Sequence, residues 1–298
     1  MSETPVQLAC IGDVHGFWDR ADTRYFNQSH YQGLLFTGDL PRFTNAVPVA
    51  RRLAELNKPA WLIPGNHDGP SPMQLLAELK GWQALCDRGA ASMPQRMQAL
   101  QRALGDIALG GYKLFTISPH IGLITARPHA MGPDRFYFRR YMAQAHAVRN
   151  YQDSAERLKQ LVDAAPGQLV FLAHNGPSGL GEQSTDIWGC DFSPQFGDFG
   201  DRDLRVAIDY AQTQGKQVLA VVAGHMHHRN KRGGGVRQPA VRQDGVLYIN
   251  AASVARIRGK GARRHHVALS LQNGQAQAQE CWVDEAGMLL SQTALAPT

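Results

Sequence analysis

Five short apolar runs, each ending abruptly at small or polar residues, set the pattern of this chain. They read "VQLACIGD" (6–13), "GLLFTGD" (33–39), "AWLIPGNHD" (60–68), "QLVFLAHNG" (168–176) and "VLAVVAGHMH" (218–227). Continuous runs of this length predict strands buried on both faces. Between and beyond them, apolar residues recur at helical spacing over 46–57, 72–86, 94–104, 134–147, 152–165 and 201–214. Pro94 suits the first turn of the helix predicted at 94–104. "GYKLFTIS" and "IGLITARP" predict two further strands. "GVLYINAAS", "HHVALSLQNG" and "AQECWVDEAG" predict strands closing a second sheet, with Asn273-Gly274 a hairpin turn. Strands alternating with helices predict a layered α/β fold. The expected organisation is one domain over 1–298, elaborated at about 69–167, without internal repeats.

Composition places the chain among ordinary globular proteins: 298 residues, 43% hydrophobic and 19% charged. No apolar run reaches the roughly 18 residues of a membrane span, and no basic, cleavable leader precedes the first strand. The four cysteines, Cys10, Cys86, Cys190 and Cys281, are widely spaced and form no CxxC pair. Reduced, partly buried thiols in the cytoplasm or another reducing compartment are expected. The net charge of +6 is uneven: Arg229 to His266 holds ten Lys or Arg against Asp244, and Arg127 to Arg149 five arginines against Asp134. Such clustering suits either a solvated basic face or an anionic ligand.

The chemistry lies at the ends of the runs. The first ends in Asp13 and His15, the second in Asp39, the third in Asn66, His67 and Asp68, the fourth in His174, and the fifth in His225 and His227. In layered α/β folds, sites form beyond the carboxyl ends of strands, so five neighbouring strands would bring these groups to one crevice. Singly, each is an ordinary turn or a hydrogen-bonded histidine; five in order are hard to explain as unrelated turns. There is no P-loop, dinucleotide fingerprint, HExxH or GxSxG motif.

The ordered set "GDVHG", "GD", "GNHD", "AHNG" and "GHMH", spanning residues 12–227, resembles the calcineurin-like metallophosphoesterases. "YINAASV" is similar to their Asn-Pro-Gly-Ser turn, with Ala251-Ala252 in place of Pro-Gly. "HNGPSGLG", "DIWGCDF" and "GDFGDRDL" resemble a subgroup from oxygenic photosynthetic lineages. The resemblance implies a four-layer α/β sandwich of two mixed sheets flanked by helices, with two divalent cations at the strand ends. Asp13, His15 and His227 would hold one cation, Asn66, His174 and His225 the other, and Asp39 would bridge them. A metal-bridging hydroxide would be the nucleophile on a phosphate ester, and His67 would protonate the leaving group or bond a phosphoryl oxygen. Asp68 would orient His67 or cap the next turn.

Mixed imidazole and carboxylate ligands suit manganese, iron, zinc, nickel or cobalt better than calcium, and paired cations serve displacement at phosphorus. "GDLPRFTN" puts Arg42 and Phe43 where serine/threonine phosphatases of the superfamily carry Asp-Arg, which makes that activity the less expected one. Arg42, Arg127 and Arg135 are candidate substrate contacts, with His129, Arg139 and Arg140 in the same basic stretch. Asp186, Asp191, Asp198, Asp201 and Asp203 are expected to cap helices and form turns. Alternatives are a nuclease or nucleic-acid binder using the basic 229–266 segment, though no recognisable module accompanies it, and a non-enzymatic scaffold, which retention of all seven ligand positions opposes. In "GHMHH", alternation along an extended chain would aim His225 and His227 to one side and His228 to the other.

Overall fold

A computed structural model describes residues 4–232 and 234–296. The first four apolar strands are β1 (Val6–Ile11), β2 (Gly33–Phe36), β3 (Ala60–Leu62) and β4 (Ala108–Leu109), which lie parallel side by side. On the other edge of β1, antiparallel pairing adds β12 (Arg263–Gln272), β13 (Gln275–Val283) and β14 (Leu289–Leu295), with the short β11 (Ile257–Arg258) beside β12. The second sheet runs β5 (Lys113–Ser118), β6 (Ile121–Thr125), β7 (Gln168–Asn175), β8 (Gln217–Gly224), β10 (Val246–Asn250) and β9 (Ala240–Gln243). Its inner strands β6, β7, β8 and β10 are parallel, and β5 and β9 are antiparallel edges.

Both sheets are therefore mixed. They meet where β13 approaches β8 and β10, and Arg242 reaches across from β9 to the Ala276 carbonyl at 2.8 Å. Helices α1 (Arg20–Gln28), α2 (Val47–Leu53), α3 (Pro72–Lys80), α4 (Gln83–Ala103), α5 (Arg139–His146), α6 (Tyr151–Ala164) and α7 (Arg202–Thr213) flank them. On α1, Phe26 stacks on Trp18, which meets Phe36 of β2 edge-on; α7 packs on α6 and on β8. The expected layered α/β architecture is present.

Three expectations change. The C-terminal strands do not close one sheet: β10 joins the second, whereas β12–β14 extend the first. Local pattern fixes that a segment is a strand, but not which edge it finds. The helices predicted at 72–86 and 94–104 divide instead at Gly81, which ends α3 in the left-handed region (φ +70°), and Pro94 lies within the continuous α4. The interval 69–167 is woven through the core, supplying β4 to one sheet and β5 and β6 to the other. Among the described residues, no helix is long and apolar enough to cross a membrane, and the four cysteines are buried and unpaired.

Much of the basic charge is matched internally. Arg256 and Arg264 meet Asp22 at 2.9 Å, and Arg264 also meets Asp19 at 2.9 Å. Arg237 meets Asp191 at 2.6 Å. Arg127 meets Asp201 and Asp203 at 2.7 and 2.9 Å. Asp191, Asp201 and Asp203 are thus ion-pair partners; Asp201 stands at the N-cap position of α7 without a side-chain cap bond, and Asp191 also accepts the Lys231 and Arg232 N–H groups, whereas Asp186 and Asp198 accept backbone N–H groups, as expected of turn residues. Within the basic 229–266 segment, three of the ten Lys and Arg residues, Arg237, Arg256 and Arg264, are thereby matched by carboxylates.

Burial keeps several imidazoles neutral: it pushes His129 down to about 3, His228 down to about 4 and His266 well below its ordinary range. In the unfolded chain these groups take up protons near pH 6.5. The unfolded state therefore binds more protons below that pH, and stability falls on acidification. Each should cost about 1 kcal/mol by pH 5.5, a decline to be read from urea unfolding at pH 7.5 and 5.5. A flat profile would contradict the buried neutral state.

Candidate metal centre

The ends of β1, β2 and β3 from one sheet and of β7 and β8 from the other converge on a single crevice. The five motif strands are thus neighbours across two sheets, not within one. Asp13, Asp39, Asn66, Asp68 and His174 are buried, and His15, His67, His225 and His227 are partly buried at its surface. Two bonds stitch the sheets together here. The His225 backbone N–H donates to the Asp13 carboxylate at 3.0 Å, and His174 Nδ1–H donates to the Thr37 carbonyl at 2.6 Å. Thr37 Oγ1 also donates to Asp13, at 3.0 Å.

Several turns are constrained to aim these groups. His15, Asp39 and His225 have φ of +43°, +50° and +65°, a region that non-glycine residues seldom occupy. Such conformations persist where surrounding bonds over-determine them; here the His15 and Gly16 N–H groups donate to the Asp39 and Leu40 carbonyls at 2.7 and 2.8 Å. His225 leaves the strand direction, so the shared orientation of His225 and His227 comes from a turn rather than from extended alternation. A Cβ on Gly224 would run into the Asp13 carboxylate, which explains a glycine directly before His225.

The donor atoms form two groups. Asp13, His15 and His227 each present one atom within 4.8 Å of the others, as do Asp39, His174 and His225. Within the first, His15 Nε2 and His227 Nε2 lie 3.2 Å apart, and His227 Nε2 is 3.4 Å from Asp13 Oδ2. In the second, the Nδ1 proton of His174 is committed to Thr37. A neutral His174 then turns its Nε2 lone pair on Asn66 Oδ1 at 2.8 Å and Asp39 Oδ2 at 3.6 Å. Asp39 Oδ2 is also 3.7 Å from His15 Nε2, so one oxygen faces both groups while Oδ1 accepts the His67 N–H at 2.9 Å. Imidazole, carboxylate and amide donors converging in this way suit cations. The surrounding protein pushes His225 down to about 3, the neutral form that ligates. Burial opposes charge on Asp13, yet His227 and the other imidazoles hold its pKa below the ordinary carboxylate range.

The remaining candidates separate clearly. His67 lines the cavity beside the donors, its ring edge-on to His15 at 5.3 Å and its Nδ1 2.6 Å from the Phe43 carbonyl. Asp68 makes no contact with that ring. Its carboxylate accepts from the Asp39, Leu40 and Gly65 N–H groups at 2.8, 2.8 and 2.6 Å, tying two donor loops together. Burial and the nearby Asp39 push it up to about 7 against those bonds. Asp68 is therefore a positioning residue, not an orienter of His67. Arg42 lines the cavity. Arg127 does not, being buried in its Asp201/Asp203 pair, and Arg135 bonds the Glu78 carbonyl at 3.2 Å on the far side of the 134–137 segment.

Other supporting residues were not legible as such. His129 is buried, its N–H donating to the Pro64 carbonyl and its Nδ1–H to the Gly65 carbonyl, both at 2.8 Å, clamping the peptides before Asn66. Asn250 donates to the Met226 carbonyl at 2.7 Å between His225 and His227, and His228 is buried with its Nε2 2.7 Å from the Asn250 carbonyl. His228, expected to point away from the donors, is thus a strut beneath them. A lone histidine or asparagine carries no spacing signal for such roles.

The calcineurin-like phosphoesterase family model matches residues 6–229. No curated protein matches the chain. Among solved structures, TT1561 of Thermus thermophilus is similar at 10% identity and TM-score 0.48, over 98% of this chain and 99% of that one. A novel archaeal phosphodiesterase is similar at 10% identity and TM-score 0.37, over 91% and 98%. A predicted phosphoesterase of Streptococcus pneumoniae TIGR4 is similar at 10% identity and TM-score 0.36, over 98% and 99%.

The bonds at Asp68 and His129 give separate expectations. Asp68→Asn sets an amide N–H against backbone donors and should lower unfolding stability by about 3 kcal/mol, measured by urea denaturation of the metal-free chain. His129→Ala should weaken divalent-cation affinity by about 10–100-fold, as loss of a residue supporting a ligand loop does; calorimetric titration would reveal an unchanged affinity if the clamp were irrelevant.

Proposed function

The chain belongs to the calcineurin-like phosphoesterase family, and from that membership we propose that it hydrolyses small phosphate esters with two divalent cations held at the strand ends. The observation that carries this reading is the position of Asp39 Oδ2, 3.7 Å from His15 Nε2 and 3.6 Å from His174 Nε2. One carboxylate oxygen between two donor groups suits the shared anionic ligand that a cation pair requires. Asp13, His15 and His227 would hold one ion and Asn66, His174 and His225 the other. Manganese, iron, zinc, nickel and cobalt all fit this mixed nitrogen and oxygen set. The bound pair would supply positive charge to the phosphoryl oxygens and acidify the attacking water.

The chain's own residues do the rest. Asp13 and His174 keep their donor atoms aimed inward because Thr37 and the His225 N–H occupy their other bonding positions. In the neutral ring the Nδ1 proton of His67 is directed to the Phe43 carbonyl, which leaves Nε2 as the atom facing substrate. Protonated there, it gives a hydrogen bond or the proton itself to the leaving oxygen. Arg42 stands at the same cavity wall and adds a cation for a phosphoryl oxygen.

Asp39→Asn removes the shared charge; metal analysis of the purified variant should find fewer than two ions per chain and turnover reduced about a thousandfold. Full metal content with full turnover would reject the bridging role. His67→Ala should slow an alkyl ester by about 10²–10⁴-fold and a nitrophenyl ester far less, because the better leaving group needs no proton. Equal losses on both would assign His67 to phosphoryl binding instead of proton donation.

A further inference from the structure

The cavity over the donor groups encloses about 590 Å³, within the ordinary range for a small organic ligand, and its walls differ in character. Part of its lining is apolar: Leu75 and Leu79 of α3, Met131, Tyr137, Phe192 and Phe199. Phe192 packs edge-on against Phe199 with centroids 5.0 Å apart. The Tyr137 hydroxyl is engaged by Asp134 at 2.7 Å, so its polar atom is satisfied outside the apolar contact. Leu79 and Phe192 are 53% and 37% exposed. Large apolar side chains left solvated together on a concave wall mark a binding surface.

The other rim is cationic. Arg42, Arg229 and Lys231 line it, and among the described residues none of their side chains has an ion-pair partner. The two carboxylates nearby have other cationic partners: Asp191 is held by Arg237 at 2.6 Å, and Asp134 lies 3.7 Å from Arg135.

We propose that this cavity selects phosphoesters whose leaving group has a planar aromatic body and a second anionic group. The aromatic body lies against Phe192, Tyr137 and Leu79, and the second charge meets Arg229 and Lys231. The inference rests on the phosphoester reading above, because it takes the phosphoryl group to sit at the donor atoms. A simple alkyl phosphate would leave the apolar wall wet. A flat ring stacked on an aromatic wall gains both buried area and favourable ring geometry.

The test separates the body from the phosphoryl group. Calorimetric titration of the metal-bearing full chain with naphthylethyl phosphonate and ethyl phosphonate, neither hydrolysable, should show the aromatic ligand binding at least about tenfold more tightly. Phe192→Ala should bring that ratio toward one. A carboxylated naphthylethyl phosphonate should gain about a further tenfold at low salt, an advantage erased by high salt and by the Arg229→Ala/Lys231→Ala double variant. Equal affinities for the first two ligands, or a ratio untouched by Phe192→Ala, would overturn the proposal. Hydrolysis of the corresponding esters is a separate readout: no turnover of either by protein carrying its full metal content would overturn the phosphoester reading itself.

Discussion

Two hydrogen bonds between sheets, from the His225 N–H to Asp13 and from His174 Nδ1 to the Thr37 carbonyl, are the constraint on which the crevice depends. Each joins a strand end of one sheet to a strand end of the other, and the second commits Nδ1 of His174, leaving Nε2 to face the crevice. Without them the two sheets would still pack through their apolar faces, because that attraction is non-directional. They would not bring lone pairs into register. The centre is thus a cluster of imidazole, carboxylate and amide groups assembled at a seam.

That demand propagates outward. Left-handed backbone at Asp39 and His225 is held by Asp68, which takes the Asp39 N–H, and by Asn250, which bonds the Met226 carbonyl, while His129 clamps the peptides before Asn66. Removing any of these supports would leave buried backbone groups unpaired, which costs more than the bond itself contributes. The same logic governs charge. Arg127, Arg237, Arg256 and Arg264 are buried with carboxylate partners, whereas Arg42, Arg229 and Lys231, which line the cavity, are not so paired among the described residues.

Apolar wall and cationic rim then have separate origins in the chain. The wall is built from α3, the 131–137 segment and the long connection after β7, whereas the rim comes from the turns after β2 and β8. Substrate preference can therefore change through the connections while the donor cluster stays fixed, a division common where sites sit on loops carried by a rigid scaffold.

The amino-acid sequence by itself determined the strands that carry the donors, because a buried parallel strand needs an unbroken apolar run and its end is visible where that run stops. It also singled out the residues that meet at the crevice, since five motifs in order are unlike independent turns. The position of Gly81, with a left-handed φ that glycine readily adopts, divides α3 from α4 in a way that hydrophobic spacing did not. Only the tertiary structure decided which sheet each strand joined, that Arg127 belongs to Asp201 and Asp203, and that Asp68 binds backbone rather than His67. These pairings link residues far apart in sequence, and local periodicity carries no information about partners. The same holds for His228: its exclusion from the donors could be read from "GHMHH", but its burial against Asn250 arises only when β8 and β10 lie side by side.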